Sequence, residues 1–241
     1  MVVIAHENET DKSIENIADY VTWIKVGQVG RIISVFKEQS VTSVAMVGGI
    51  NRVRTFRDVH LDARGMMLLA KLRSTKDDIV MRGIASELES EGIEVVDSTL
   101  FCKDLLVEAG VLTERKPTPQ ELNDIEAGVL ALCAMNAQHI GQLVVVKQGV
   151  IVAVEAVEGS DATILRGGQL GGSDTVIVKC SKLSQDMRFD VPTIGLKTIE
   201  SMKQVRASVL ALEAHKCLML DKELVIESAN DAGISIVGRI V

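Results

Sequence analysis

The chain has 241 residues, 47% hydrophobic and 24% charged, with a formal net charge of -7. That composition is ordinary for a soluble globular protein and long enough for one large domain or two small ones. An acidic chain with one Trp, one Tyr and four Phe lacks the basic, aromatic surface of a nucleic-acid binder, and its core must be built from Val, Ile, Leu, Ala and Met.

Cys102, Cys133, Cys180 and Cys217 stand far apart and form no Cys-x-x-Cys pair. They read as buried small hydrophobes, and nothing in their spacing argues for disulfides, so the cytoplasm is the natural compartment. The opening residues have no basic segment followed by an apolar one, so they do not read as a signal peptide. No uninterrupted apolar run reaches the roughly 18 residues that a membrane span needs.

In chain order, Val2–Ala5 and Val21–Val26 are predicted strands. The apolar spacing from Arg31 to Gln39 predicts a helix, and Val41–Val47 a third strand closed by Gly48 and Gly49. A helix between two apolar strands implies a βαβ crossover and a parallel sheet, which binds ligands beyond the carboxyl ends of its strands. Gly48, Gly49 and Arg52 lie at that edge, where they serve either as a plain turn or as a phosphate contact. A helix is predicted over Lys76–Ser90, with Asp77 and Asp78 suiting its dipole. Ile93–Val96 is a strand, and Asp97 caps a short helix running towards Leu106.

Val111–Gln120 holds Pro117 and Pro119 and reads as a connector, with a domain boundary in it. The expected division is a first domain over 1–112, a linker and long helix over 113–138, and a second domain over 139–241. The helix, Gln120–Gln138, carries Ile125, Val129, Leu132 and Cys133 on one stripe. Two apolar runs flank Lys147-Gln-Gly149, a hairpin signal. The second run delivers Glu155, Glu158 and Asp161, an acidic cluster beside Gly159 that reads as a solvated strand end or as part of a site. Val176–Cys180 is a strand, Leu196–Gln204 a helix, and Ser208–Leu212 and Cys217–Leu220 strands. Asp221 caps a helix over Lys222–Ala232, and Ile234–Val237 is the last strand. Together these patterns predict a two-domain α/β protein: a parallel-sheet domain, then a mixed α/β domain with a hairpin at one side of its sheet, the two meeting at a cleft. His6, His60, His139 and His215 form no metal-ligand spacing.

The stretch Gln185-Asp-Met-Arg-Phe-Asp-Val-Pro-Thr-Ile-Gly195 is the densest in chemistry. If it is extended, Asp186, Arg188 and Asp190 share one face. Two carboxylates can hold a hard divalent cation, and an Arg between them can fork onto a phosphate. Thr193 could offer a hydroxyl at a helix N-terminus, which favours anions. A loop of solvated charges is the bland alternative.

Ile140-Gly-Gln142, Ala153-Val-Glu-Ala-Val-Glu-Gly-Ser-Asp161, Lys182 and Gln185–Gly195 resemble, in order and spacing, the LpxI type of UDP-2,3-diacylglucosamine pyrophosphatase. Val26–Gly30 and Val47–Arg52 are similar to that family's first half. The resemblance implies hydrolysis of UDP-2,3-diacylglucosamine to UMP and 2,3-diacylglucosamine 1-phosphate in lipid A biosynthesis of Gram-negative bacteria, with Mg²⁺ or Mn²⁺ as cofactor. It implies Asp186, Asp190 and Arg188 as catalytic residues and Asp186, Asp190 and Glu155 as metal ligands. Substrate contacts then fall on Gly48, Gly49, Arg52, Gln142, Glu158, Gly159, Asp161, Lys182 and Thr193. Expected partners are the lipid nucleotide, inner-membrane lipid at the periphery of a cytoplasmic protein, and a second copy in a homodimer. The resemblance also implies a Rossmann-like parallel-sheet first domain, incomplete here, followed by a mixed α/β domain, with the site in the cleft between them, since the family usually opens with a strand, a glycine-rich turn and a helix. Here the first strand comes without that turn, so a shortened first domain is expected. Two rival readings are an inactive nucleotide-sugar or lipid-binding module and a Mg²⁺-dependent hydrolase of a soluble nucleotide.

Overall fold

The computed structural model describes residues 1–50, 59–72, 77–136, 140–182 and 185–241, with only the backbone of Asp77, Asp78 and Asn136. Arg52 and His139 lie outside the described residues. The chain divides into two compact units, Met1–Leu100 with Arg188–Asp190, and Phe101–Met187 with Val191–Val241.

In the first unit, strand β1 (Val2–His6) pairs in parallel with β2 (Tyr20–Ile24), Val2 opposite Tyr20 and His6 opposite Ile24. Helix α1 (Val29–Glu38) follows and buries Val29, Ile33 and Phe36, one stripe at helical spacing. Strand β3 (Ser43–Ala45) comes next, then helices α2 (Ala63–Lys71) and α3 (Asp77–Ser90) and strand β4 (Glu94–Val96). β3 pairs in parallel with β4, so the described strands form two parallel pairs. Asp62 caps α2: its carboxylate accepts the Gly65 amide at 2.8 Å, and it also takes the Arg31 amide in the first turn of α1 at 3.1 Å. Lys37 and Arg64 both pair with Glu91. The short helix expected between Asp97 and Leu106 is a 3-10 helix over Lys103–Leu105, and Asp97 does not cap it. Asp97 instead accepts the Thr99 amide and hydroxyl, each at 2.7 Å, which closes a turn.

The second unit is a six-stranded sheet. Its strands are β5 (Gly110–Val111), β6 (Leu143–Lys147), β7 (Val150–Val154), β8 (Val176–Lys179), β10 (Val209–Glu213) and β12 (Ser235–Arg239). The order across the sheet is β5-β12-β10-β8-β6-β7. β8, β10 and β12 run parallel, while β6 is antiparallel to β8 and β7 to β6. The short strands β9 (Thr193–Ile194) and β11 (Leu218–Met219) make a separate parallel pair.

Both faces of this sheet are covered, which is why its strands are continuous apolar runs. Helix α4 (Pro119–Asn136) buries Ile125 and Leu132 against Val144, Val146, Val176 and Val178. On the other face α5 (Ser160–Gly171), α6 (Leu196–Val205) and α7 (Lys222–Asp231) bring Ile164, Ile199, Met202 and Val225 onto Leu143, Val145, Ile177 and Leu210. Close approach needs missing side chains: a Cβ on Gly128 of α4 or on Gly167 of α5 would lie 2.5 Å from a methyl of Val178 or Val145 respectively. Helix α5 is not legible in the sequence. Gly167 and Gly168 weaken its helical signal, yet burial against the sheet compensates.

The units part at Leu100 and Phe101, upstream of the boundary expected after 112, and 113–138 is no linker. The reason is pairing. Val107 is fully buried and exchanges backbone hydrogen bonds with Cys217 and His215, β5 pairs antiparallel with β12, and α4 is a layer of the second unit. Arg115 also forks onto Glu121, whose Oε1 accepts the Ser208 hydroxyl at 2.6 Å.

Candidate functional site

Because β7 is parallel to β8 through β6, the chain leaves β7, β8 and β10 at the same edge of the second sheet. Such carboxyl edges are where open parallel sheets take ligands. The residues that follow the strands there are polar and mutually bonded. Glu155 follows β7, Lys179 ends β8 and is followed by Cys180 and Ser181, and Glu213 ends β10.

Gly141 fixes the first of these. Its φ is +50°, and a Cβ would stand 2.1 Å from the Glu155 carbonyl oxygen. With no side chain there, the Gln142 amide reaches Glu155 Oε2 at 3.0 Å, and the Gln142 carbonyl accepts the Cys180 amide at 3.0 Å. Glu155 Oε1 accepts the hydroxyl of Ser160, at the first turn of α5, at 2.8 Å. Lys179 Nζ donates to that same hydroxyl at 3.1 Å and to the Thr193 carbonyl at 2.8 Å. One strand over, Glu213 Oε2 accepts the amide and the hydroxyl of Ser181, and its Oε1 pairs with Lys216 at 2.6 Å.

The acidic cluster after β7 is partnered throughout. Glu158 lies below its ordinary carboxylate value, held there first by its own backbone amide and then by Arg166 at 2.6 Å. Asp161 pairs with Lys197 at 2.9 Å and raises the lysine's pKa. Burial pushes the Cys180 thiol up, and Cys217 is pushed up to about 11 by the same cause. Neither is a thiolate nucleophile at neutral pH.

The stretch from Gln185 to Gly195 is not extended, so the one-face argument for Asp186, Arg188 and Asp190 does not hold. Met187 and Arg188 form a turn, and Asp190 has a left-handed φ of +54°. The cause is Phe189. Its ring is 2% exposed among Val29, Ile33, Phe36 and Leu88, so Arg188–Asp190 belongs to the first unit while Asp186 belongs to the second. The Ser98 hydroxyl lies 2.5 Å from the Met46 carbonyl and 2.7 Å from that of Arg188, and the Arg188 guanidinium pairs with Glu89 at 2.7 Å. Asp190 is exposed and Asp186 half-buried. Lys182 donates its amide to Gln185 at 3.4 Å, and the Thr193 hydroxyl donates to the Val191 carbonyl at 3.0 Å. Gly48 and Gly49 are exposed after β3, with open space around them.

Among the described residues, no three His, Cys, Asp or Glu side chains are grouped to hold a metal ion. Both oxygens of Glu155 accept one hydrogen bond each from the protein, and each keeps a second lone pair. A hard cation such as Mg²⁺ keeps several waters and takes one or two carboxylates together with substrate phosphates. Asp186 and Asp190 have the donor chemistry for that.

The family's two domain models match this chain in order: the LpxI N-terminal domain over residues 1–105 and the LpxI C-terminal domain over 108–237. The chain belongs to the LpxI family. It is 30% identical over 226 residues, 89% of its own length and 80% of the relative's, to the UDP-2,3-diacylglucosamine pyrophosphatase LpxI of Caulobacter vibrioides. The two LpxI domains meet the chain at 105 and 108, close to the division at Leu100 and Phe101. Within the LpxI C-terminal domain, sequence reasoning missed Ser160, Lys179 and Glu213. The available signal was charge inside apolar runs: Lys179 interrupts Val176-Ile-Val-Lys-Cys180, and Glu213 ends Val209-Leu-Ala-Leu-Glu213.

Proposed function

We propose that this LpxI-family chain hydrolyses the pyrophosphate bond of UDP-2,3-diacylglucosamine, giving UMP and 2,3-diacylglucosamine 1-phosphate for lipid A biosynthesis. The observation that carries the reading is the match of both LpxI domains in order, over nearly the whole chain, joined to a pyrophosphatase relative. The chemistry needs phosphate charge neutralised, a water deprotonated as it attacks phosphorus, and the departing phosphate stabilised. Asp186 or Asp190 takes the proton of that water. Lys182, Arg188 and Arg52 balance charge on phosphate oxygens, Arg188 by exchanging Glu89 for the substrate. Gly48, Gly49 and Gly159 contact substrate through backbone groups, which suits residues without a side chain, and Gln142 and Thr193 contact it through their side chains, since the Gln142 amide and carbonyl and the Thr193 carbonyl are already bonded. Glu158 and Asp161 hold the first turn of α5 through Thr163, Arg166 and Lys197.

Mg²⁺ or Mn²⁺ is the proposed cofactor, held by Asp186 or Asp190, and when bound it neutralises phosphate charge and acidifies water. The substrate is a lipid, and among the described residues no helix is long and apolar enough to cross a membrane. We place the protein in the cytoplasm of a Gram-negative cell, at the surface of the inner membrane, as a homodimer.

The test is incubation with UDP-2,3-diacylglucosamine and separation of products by thin-layer chromatography, with Mg²⁺ and after exhaustive chelation. UMP and the lipid monophosphate should form together, and only with the cation. Binding without release would favour a non-catalytic module. Equal cleavage of an unacylated UDP-sugar would favour a hydrolase of soluble nucleotides. Full activity after chelation would remove the metal from the proposal.

A further inference from the structure

We propose that Lys179 is a buried phosphate-binding cation of the second unit, its ammonium held in place by Ser160. The inference deepens the pyrophosphatase reading and rests on it for the identity of the phosphate's owner. Lys179 is 7% exposed. Its ammonium has three N–H donors. They meet the Ser160 hydroxyl and the Thr193 carbonyl, and among the described residues Lys179 pairs with no carboxylate.

A buried ammonium without an anion carries a large desolvation cost, which the protein offsets only if an anion comes to it or the group loses its proton. The surrounding acids do not serve. Glu158 is taken by Arg166, Asp161 by Lys197 and Glu213 by Lys216 and Ser181. Glu155 stands one hydroxyl away. Ser160 has one proton and gives it to Glu155, so it can only accept from Lys179. This fixes the direction of the chain from lysine to serine to carboxylate and keeps the ammonium aimed at the first turn of α5. That helix has 12 residues, and the amides of its first turn attract anions. Ser160 and Thr193 are only half-buried, so Nζ lies one side chain below the surface at the carboxyl edge of the sheet. A phosphate reaching the start of α5 meets Nζ there.

Inorganic pyrophosphate is the probe, titrated calorimetrically into the full chain in magnesium-free buffer. Wild type should bind, and Lys179→Met should bind about 10-fold or more weaker, the loss of one charge-assisted hydrogen bond. The thermal midpoint of Lys179→Met should be unchanged or raised, since an unpaired buried charge is gone. A variant that folds and binds pyrophosphate like wild type overturns the proposal, as does a wild type that does not bind. Should Lys179→Met fail to fold, Ser160→Ala decides: binding several-fold weaker supports the site, and wild-type affinity overturns it. Pyrophosphate bound through Lys179 without UMP release from the lipid nucleotide sinks the substrate reading and leaves the site standing.

Discussion

Glu213 Oε2 accepts both the amide and the hydroxyl of Ser181, at 2.8 and 2.6 Å, and Glu213 is 3% exposed. This bond ties the end of β10 to the residues that leave β8, next to Lys179. Replacing Glu213 by Leu strands two buried donors and frees Lys216. Unfolding in urea should show a loss of about 2–4 kcal/mol. A change within experimental error would mean that the Ser181 groups find water instead.

Gly141→Ala puts a methyl group 2.1 Å from the Glu155 carbonyl oxygen at a left-handed φ of +50°. The backbone must move, and Glu155 loses its contact with the Gln142 amide. Destabilisation of about 2 kcal/mol or more is expected, with UMP release falling further than stability explains. Chemical denaturation beside a turnover assay separates the two effects.

Glu121 gives the chain part of its acid sensitivity. Burial raises its pKa, but the Ser208 hydroxyl, the Thr118 amide and Arg115 together outweigh this and hold it below the ordinary 4.5. A depressed carboxylate stabilises the fold above its unfolded pKa and loses that contribution as pH falls through the folded one. The urea midpoint of wild type should therefore drop below about pH 4.5, where the unfolded carboxylate titrates. Glu121→Gln should be less stable at pH 7 and show a shallower drop. Parallel pH profiles of the two proteins would sink this attribution.

Asp186→Ala and Asp190→Ala should each fold and reduce turnover about 10²-fold, with a smaller effect on KM. Asp190 also sits at φ +54°, so Asp190→Asn, which tolerates that conformation, is the cleaner variant. Near wild-type kcat in both folded variants would show the stretch to be structural.

Thiol titration should leave Cys180 and Cys217 unmodified in the native protein, because both are buried and their thiols are raised. Cys102 and Cys133 are half-buried and should react first. All four should react in denaturant. Fast native labelling at Cys217 would contradict its burial in the core of the second unit.

Local pattern alone determined most elements. The runs at Val2, Val21, Leu143, Val150, Val176, Val209 and Ile234 are strands because β-branched residues fit a pleated, buried surface. The stripe of Ile125 and Leu132 is a helix because its period is helical. The Lys147-Gln-Gly149 hairpin was legible too, since Gln148 and Gly149 both take the positive φ its turn requires. The motifs around Gly141, Glu155 and Gln185 were also enough to indicate the family. What tertiary structure decided is everything that depends on partners distant in sequence. Helix α5 forms through Gly167 and Gly168 because a sheet lies under it. Phe189 draws Arg188–Asp190 out of an extended path because an apolar core is open to it. Glu155 became an internal acceptor because Gly141 lets the Gln142 amide come close. Lys179, one charge in an apolar run, acquires meaning only when the end of β8 is set beside Ser160, 19 residues earlier, and Thr193, 14 later. No local propensity encodes such pairings, because their free energy comes from burial and hydrogen bonds formed after the chain has closed on itself.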